Sequence, residues 1–129
     1  AAHKVITAQD PGALALFSGI AAEPLASDPA ALAMQVTTVL REMRGSVHLV
    51  ALAACGLSPE MAHRVRRPDD IAMFGWHEGV EVTDDHRTRW QAAETLTDEM
   101  LVPAWSSVTE TEGRSIVETV SAMQAALAK

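Results

Sequence analysis

The dipeptide Asp28-Pro29 opens the segment that most restricts how this chain can fold. An aspartate accepts hydrogen bonds from the free N–H groups of a first helical turn, and proline, with no N–H and φ fixed near the helical value, suits the position after it. From there Leu32, Val36, Val39, Leu40, Met43, Val47, Val50 and Ala54 recur on one helical face, and the phase holds through Gly45. The spacing predicts one continuous helix from Pro29 to about Cys55, with Gly56 at the C-terminal stop. In a chain of 129 residues such a rod organises everything else. The expectation is one all-α domain over 1–129, a compact bundle of about six helices around a long central one.

The remaining elements follow from local signals. Gly12 to Ala22 reads as a short apolar helix closed by Glu23-Pro24, and Ser58-Pro59 starts another that runs to about Arg66. Arg67-Pro68 ends it, because the residue before proline avoids the α region, and Asp69-Asp70 favour a further turn to Phe74. Gly75 and Gly79 mark a loop, with a few strand-like residues at Val80 to Val82. Thr83-Asp84-Asp85 begins a helix bearing Trp90, Ala93, Thr97, Met100 and Leu101, which Pro103 should kink or end. Thr109 and Glu112 form a capping-box pair before a last helix with the stripe Ile116, Val120, Met123 and Leu127. That stripe serves intrachain packing or a two-fold contact equally well. Alanine is abundant and aromatic residues make up only 4% of the chain, which favours packed helices over a β-sandwich.

Charge narrows the partners. The formal balance is −7, and residues 65–129 hold six Lys/Arg against twelve Asp/Glu, whereas residues 1–64 hold four against five. Nucleic-acid affinity rests largely on cations that neutralise phosphates, so extensive DNA or RNA contact is disfavoured. The single cysteine, Cys55, cannot form an intrachain disulfide and suits a reduced, cytoplasmic protein. No run of apolar residues is long enough to span a membrane. Because the chain opens on Ala1, it reads as a fragment or processed product.

Chemistry concentrates in three places. At about 100° per residue, Arg41, Arg44 and His48 fall within about 60° of one another on the long helix, with Thr37 nearby, and form one cationic edge. The helix then reads LVALAAC, apolar all round and expected to be buried on every side. Two guanidinium forks and an imidazole on such an edge suit a carboxylate or phosphate, Gly45 leaving room for its approach and Trp76 of the FGWHEG loop closing the cleft. The competing structural role for Arg41 and Arg44 is to pair with Glu42, Asp69 or Asp70. The second place, His63, Arg64, Arg66 and Arg67, could touch phosphates from a helix-turn-helix, against the simpler role of a solvated helix end. The third, His77, Glu78, Asp84, Asp85 and His86, has no recognised metal-ligand spacing, and the acids at Thr83 are explained by a helix start. The glycines write no dinucleotide or phosphate loop and no serine sits in a nucleophile elbow, so no cofactor is implied and no reaction is fixed.

The stretch LREMRGSVHLVALAACGL, Leu40 to Leu57, resembles the signature of a mainly actinobacterial family of helical proteins known as SalK-like, with Arg41, Glu42, Arg44, Gly45, His48, Ala51, Leu52, Gly56 and Leu57 matching. Glu23-Pro24-Leu25, Gly75-Trp76, Leu96 to Glu99 and Pro103-Ala104-Trp105 fit as well, so the resemblance spans about residues 20–108. It implies that this chain is the C-terminal half of a longer architecture, a degenerate helix-turn-helix similar to winged-helix regulators of the MarR type. Val82-Thr83-Asp84-Asp85 before Arg87 is like the end of their wing. Seven residues separate Gly75 from Thr83, too few for a recognition helix and a β-hairpin wing, so the DNA-reading element would be deleted.

Together these readings favour a non-catalytic binding or regulatory module for a small anionic or amphipathic molecule, as a homodimer or with a missing N-terminal half. A transcription regulator stands second and a small enzyme using His48 as acid or base third.

Overall fold

The computed structural model describes residues 1–77 and 79–128. They form α1 (Ala2–Ala8), α2 (Ala15–Ala21), α3 (Pro29–Ala54), α4 (Pro59–Arg66), a 3₁₀ helix (Pro68–Phe74), α5 (Asp84–Trp105) and α6 (Glu110–Leu127), with no strand among the described residues. The fold is all-α, as the sequence implies. The helix α1 is the addition: its seven residues carry no side-chain cap and too few apolar positions for a period to show. Val80 to Val82 are irregular rather than extended into a strand. The second helix starts at Ala15 and not at Gly12, because Pro11 and Gly12 form a turn in which Gly12 N–H donates to the Asp10 carboxylate.

The backbone divides into two compact units, one of residues 1–46 with 101–129 and one of residues 47–100. In the first, Asp28 caps α3 by accepting from Ala31 N–H at 2.8 Å, the role its sequence position predicts. Gln35 clamps the preceding loop with one side chain, its Oε1 accepting from Ala26 N–H and its Nε2 donating to the Pro24 carbonyl, both at 2.9 Å. Ser46 Oγ accepts from Phe17 N–H, one of the α2 donors that has no partner inside its own helix. The buried apolar side chains here are Val5, Ile6, Leu14, Phe17, Val39, Met43, Leu101 and Ala104. Pro103 does not end α5 at its own position: it lies inside the last turn, and the helix runs on to Trp105.

In the second unit α3 ends on a left-handed Gly56, with Leu57 N–H donating to the Leu52 carbonyl and Gly56 N–H to that of Ala53, the two bonds of a Schellman stop. A Cβ at Gly56 would also press on the Arg89 guanidinium at 3.0 Å. Ala51, Leu52, Leu57, Ala62 and Ala93 form the core, with Cys55, Met61, Trp90 and Leu96 against it. The LVALAAC stretch is not buried all round: Leu49 is 52% exposed, and Ala53 and Ala54 face solvent. Small residues on one face satisfy this core, and there is more apolar circumference on the helix than this core covers. No described helix is long and apolar enough to cross a membrane.

Candidate functional site

In the first unit a groove of about 330 Å³ runs between the N-terminal half of α3 and α6. Pro29, Leu32, Ala33, Val36 and Leu40 form one wall, Ile116, Val120 and Met123 the other, and Ala1 and Ala2 contribute at the side. The polar side chains are those of Thr37, Ser115 and Thr119. Thr37 donates to the Ala33 carbonyl and Thr119 to that of Ser115, each at 2.8 Å, so both keep acceptor capacity while their hydrogens stay inside the helices. The groove exists because α6 stands well formed but little buried. Its start is a full capping box, Thr109 Oγ1 accepting from Glu112 N–H while the Glu112 carboxylate accepts from Thr109 N–H. Lys4 donates to the same carboxylate, and that bond, followed by the one from Thr109, holds the Glu112 carboxyl at about 2, well below its ordinary 4.5. Yet no α6 residue is buried, Val117 being 64% and Leu127 76% exposed. Both stripes are plain in the sequence, but a stripe marks an apolar face without saying whether a partner fills it.

Arg41, Arg44 and Gly45 belong to the same unit. The Arg41 side chain is 81% exposed and its Nη1 donates to Glu42 at 2.8 Å, the pairing that the structural alternative anticipates. Arg44 is exposed. A Cβ on Gly45 would meet nothing within 4 Å, so no protein backbone makes use of this glycine.

His48 lies in the second unit, where its Nδ1 is 2.9 Å from Thr97 Oγ1 and its Nε2 3.5 Å from Glu94 Oε1. Thr97 is fully buried and gives its hydrogen to the Ala93 carbonyl at 2.6 Å, so it accepts from His48 Nδ1–H. The row Ala93, Thr97, His48, Glu94 thus fastens α3 to α5 within this unit, and the Thr97 hydroxyl is no nucleophile for an outside substrate. Trp76 keeps different company, stacked on Phe74 at 4.7 Å with His63 edge-on to both rings and the Arg64 guanidinium 6.0 Å above it.

The basic cluster separates into inner and outer members. Arg64 is only 4% exposed, its guanidinium donating twice to Glu60 and once to the His77 carbonyl. His63 packs against the aromatic pair, 3.9 Å from the Asp70 carboxylate. Arg66 and Arg67 are exposed, the latter 3.7 Å from Asp70. A polar cavity of about 360 Å³ lies nearby, bounded by Gly56, Ser58, Asp85, His86 and Arg89, with Arg89 paired to Asp85 at 2.7 Å. His86 serves the α5 start, its Nδ1 accepting from Thr83 N–H and its own N–H donating to Thr83 Oγ1. Among the described residues no three His, Cys, Asp or Glu side chains converge as metal ligands, and Glu78 of the acidic loop group lies outside the described residues.

Arg67 alone separates α4 from the 3₁₀ helix, and the two pack on one another as a closely spaced helix pair. The chain belongs to a helix-turn-helix family, whose model matches residues 1–73, from α1 to within one residue of the end of the 3₁₀ helix. No curated protein and no solved structure matches this chain.

Proposed function

We propose that this helix-turn-helix family member is a non-catalytic binding module whose ligand, a small amphipathic molecule, lies in the groove between α3 and α6. The groove carries the reading. Its volume of about 330 Å³ falls at the lower end of the range, roughly 300–1,000 Å³, that small-molecule sites occupy. Aliphatic walls with a few hydroxyl acceptors suit a hydrocarbon body with a small polar group. A regulator that contacts duplex DNA is the second reading, favoured by the family match. Electrostatics weigh against it. Of the four basic residues, Arg64 is withdrawn into its ion pair and His63 is engaged with rings. The second helix of the pair brings Asp69 and Asp70, and residues 47–100 hold five Lys/Arg against ten Asp/Glu. The resemblance of Leu40 to Leu57 to the SalK-like signature supports the same view, a helix-turn-helix ancestry without the element that reads bases.

Calorimetric titration with decanol tests the proposal. The expected result is saturable binding that Val36→Trp, which fills the groove from a half-buried position, weakens at least about tenfold, or about 1.4 kcal/mol. Absence of saturable binding, or affinity untouched by Val36→Trp, overturns it. A salt-dependent shift of a DNA duplex in the same preparation would favour the regulator instead.

A further inference from the structure

Resting on the groove reading above, we infer that the ligand is a straight-chain monocarboxylate, its chain along α3 and α6 and its carboxylate at Arg44 with Arg41 beside it. Helical register places Arg44 at one end of the groove, four residues beyond Leu40 and seven beyond Thr37, both groove residues, and Arg41, four beyond Thr37, to the side of it. Because Cα–Cβ bonds tilt toward the helix N-terminus, the Arg44 side chain sets out back toward the apolar wall. From Pro29 to Leu40 the wall rises about 16 Å at about 1.5 Å per residue, the reach of a saturated chain of about a dozen carbons. Charge then sets the head group. The side-chain polar groups along the groove are hydroxyls, and the guanidinium of Arg44 stands exposed beyond Leu40 with that of Arg41 beside it.

Those guanidinium groups need not be without partners. Arg41 already binds a carboxylate oxygen of Glu42 at 2.8 Å, and an exposed pair of this kind is worth about 0–1 kcal/mol, so a ligand carboxylate replaces like with like. Each guanidinium has several donors, so Arg44 can hold a ligand oxygen in addition to a protein neighbour.

Titration of the full chain with decanoate, decanol and decyltrimethylammonium, in the wild type, Arg44→Gln, Arg41→Gln and the double variant, decides the matter. Decanoate is expected to bind about tenfold more tightly than decanol, the increment of a charge-assisted hydrogen bond, and the double variant to erase that preference. Equal binding of decanoate and decanol, unaffected by either arginine, overturns the carboxylate inference and leaves the groove reading standing. Preference for the cation overturns it as well. Binding of none of the three overturns both. So does a ligand-free dimer by sedimentation that Val120→Glu dissociates, since a second copy would then fill the groove.

Discussion

One helix, α3, carries the same apolar periodicity before and after Ser46, yet its two halves end in different surroundings. Beyond Ser46 the second unit closes on small side chains, Ala51, Ala62 and Ala93, and ties its polar groups in pairs: His48 to Thr97, Arg64 to Glu60 and the His77 carbonyl. Before Ser46 the first unit buries Phe17 and Met43 completely but leaves Leu32, Val36 and Leu40 half-buried along a groove. Periodicity specifies which face of a helix avoids water. Whether that face is filled depends on the bulk and placement of what stands opposite, and α6 stands opposite without burying a residue.

Three experiments break or sharpen this contrast. The largest effect is expected within the first unit: Phe17→Ala should cost about 3–5 kcal/mol in urea unfolding, as for other fully buried aromatic side chains, while Val120→Ala on the groove wall should cost less than about 1 kcal/mol. Similar losses for the two would mean that the groove is packed shut in solution. In the second unit, Arg64→Met keeps the apolar stem but strips the His77 carbonyl of its donor, for an expected loss of about 2 kcal/mol. A neutral outcome would show that the buried ion pair contributes no net stability. The smallest effect is at the α6 cap. Because the Glu112 carboxyl is lowered from 4.5 to about 2 in the folded chain, its contribution is fully present above about 4.5 and is lost as pH falls through about 2. Side-chain NMR should place its midpoint near 2 and Lys4→Ala should raise it, whereas a wild-type midpoint near 4.5 would mean that the Lys4 tie does not form.

Most of the helices were legible because their ends carry chemistry. Asp28, Ser58, Thr83 and Thr109 each accept the hydrogen bond their position foretells, and Gly56 takes the left-handed stop. The helix α1 carries no such mark, since Ala1 offers no side-chain cap and a seven-residue helix completes barely two turns. The candidate site was legible only in part. Arg41, Arg44 and His48 do lie on one edge of α3, but an edge says nothing about neighbours: His48 is tied to Thr97 within the second unit, and Trp76 pairs with Phe74. Charge counting marked His63 to Arg67 as one cluster, whereas burial makes Arg64 a structural member and leaves Arg66 and Arg67 to solvent. Both groove walls were visible as stripes; the space between them depends on distances that no periodicity encodes.

The bareness of α6 has a dynamic consequence. A helix secured mainly by its first turn and a surface lysine should exchange its amide hydrogens sooner than the sealed middle of α3, fraying from Leu127 backward. The wall that would grip a hydrocarbon chain is thus also the one that most readily steps aside, and a guest could enter or leave by that breathing alone.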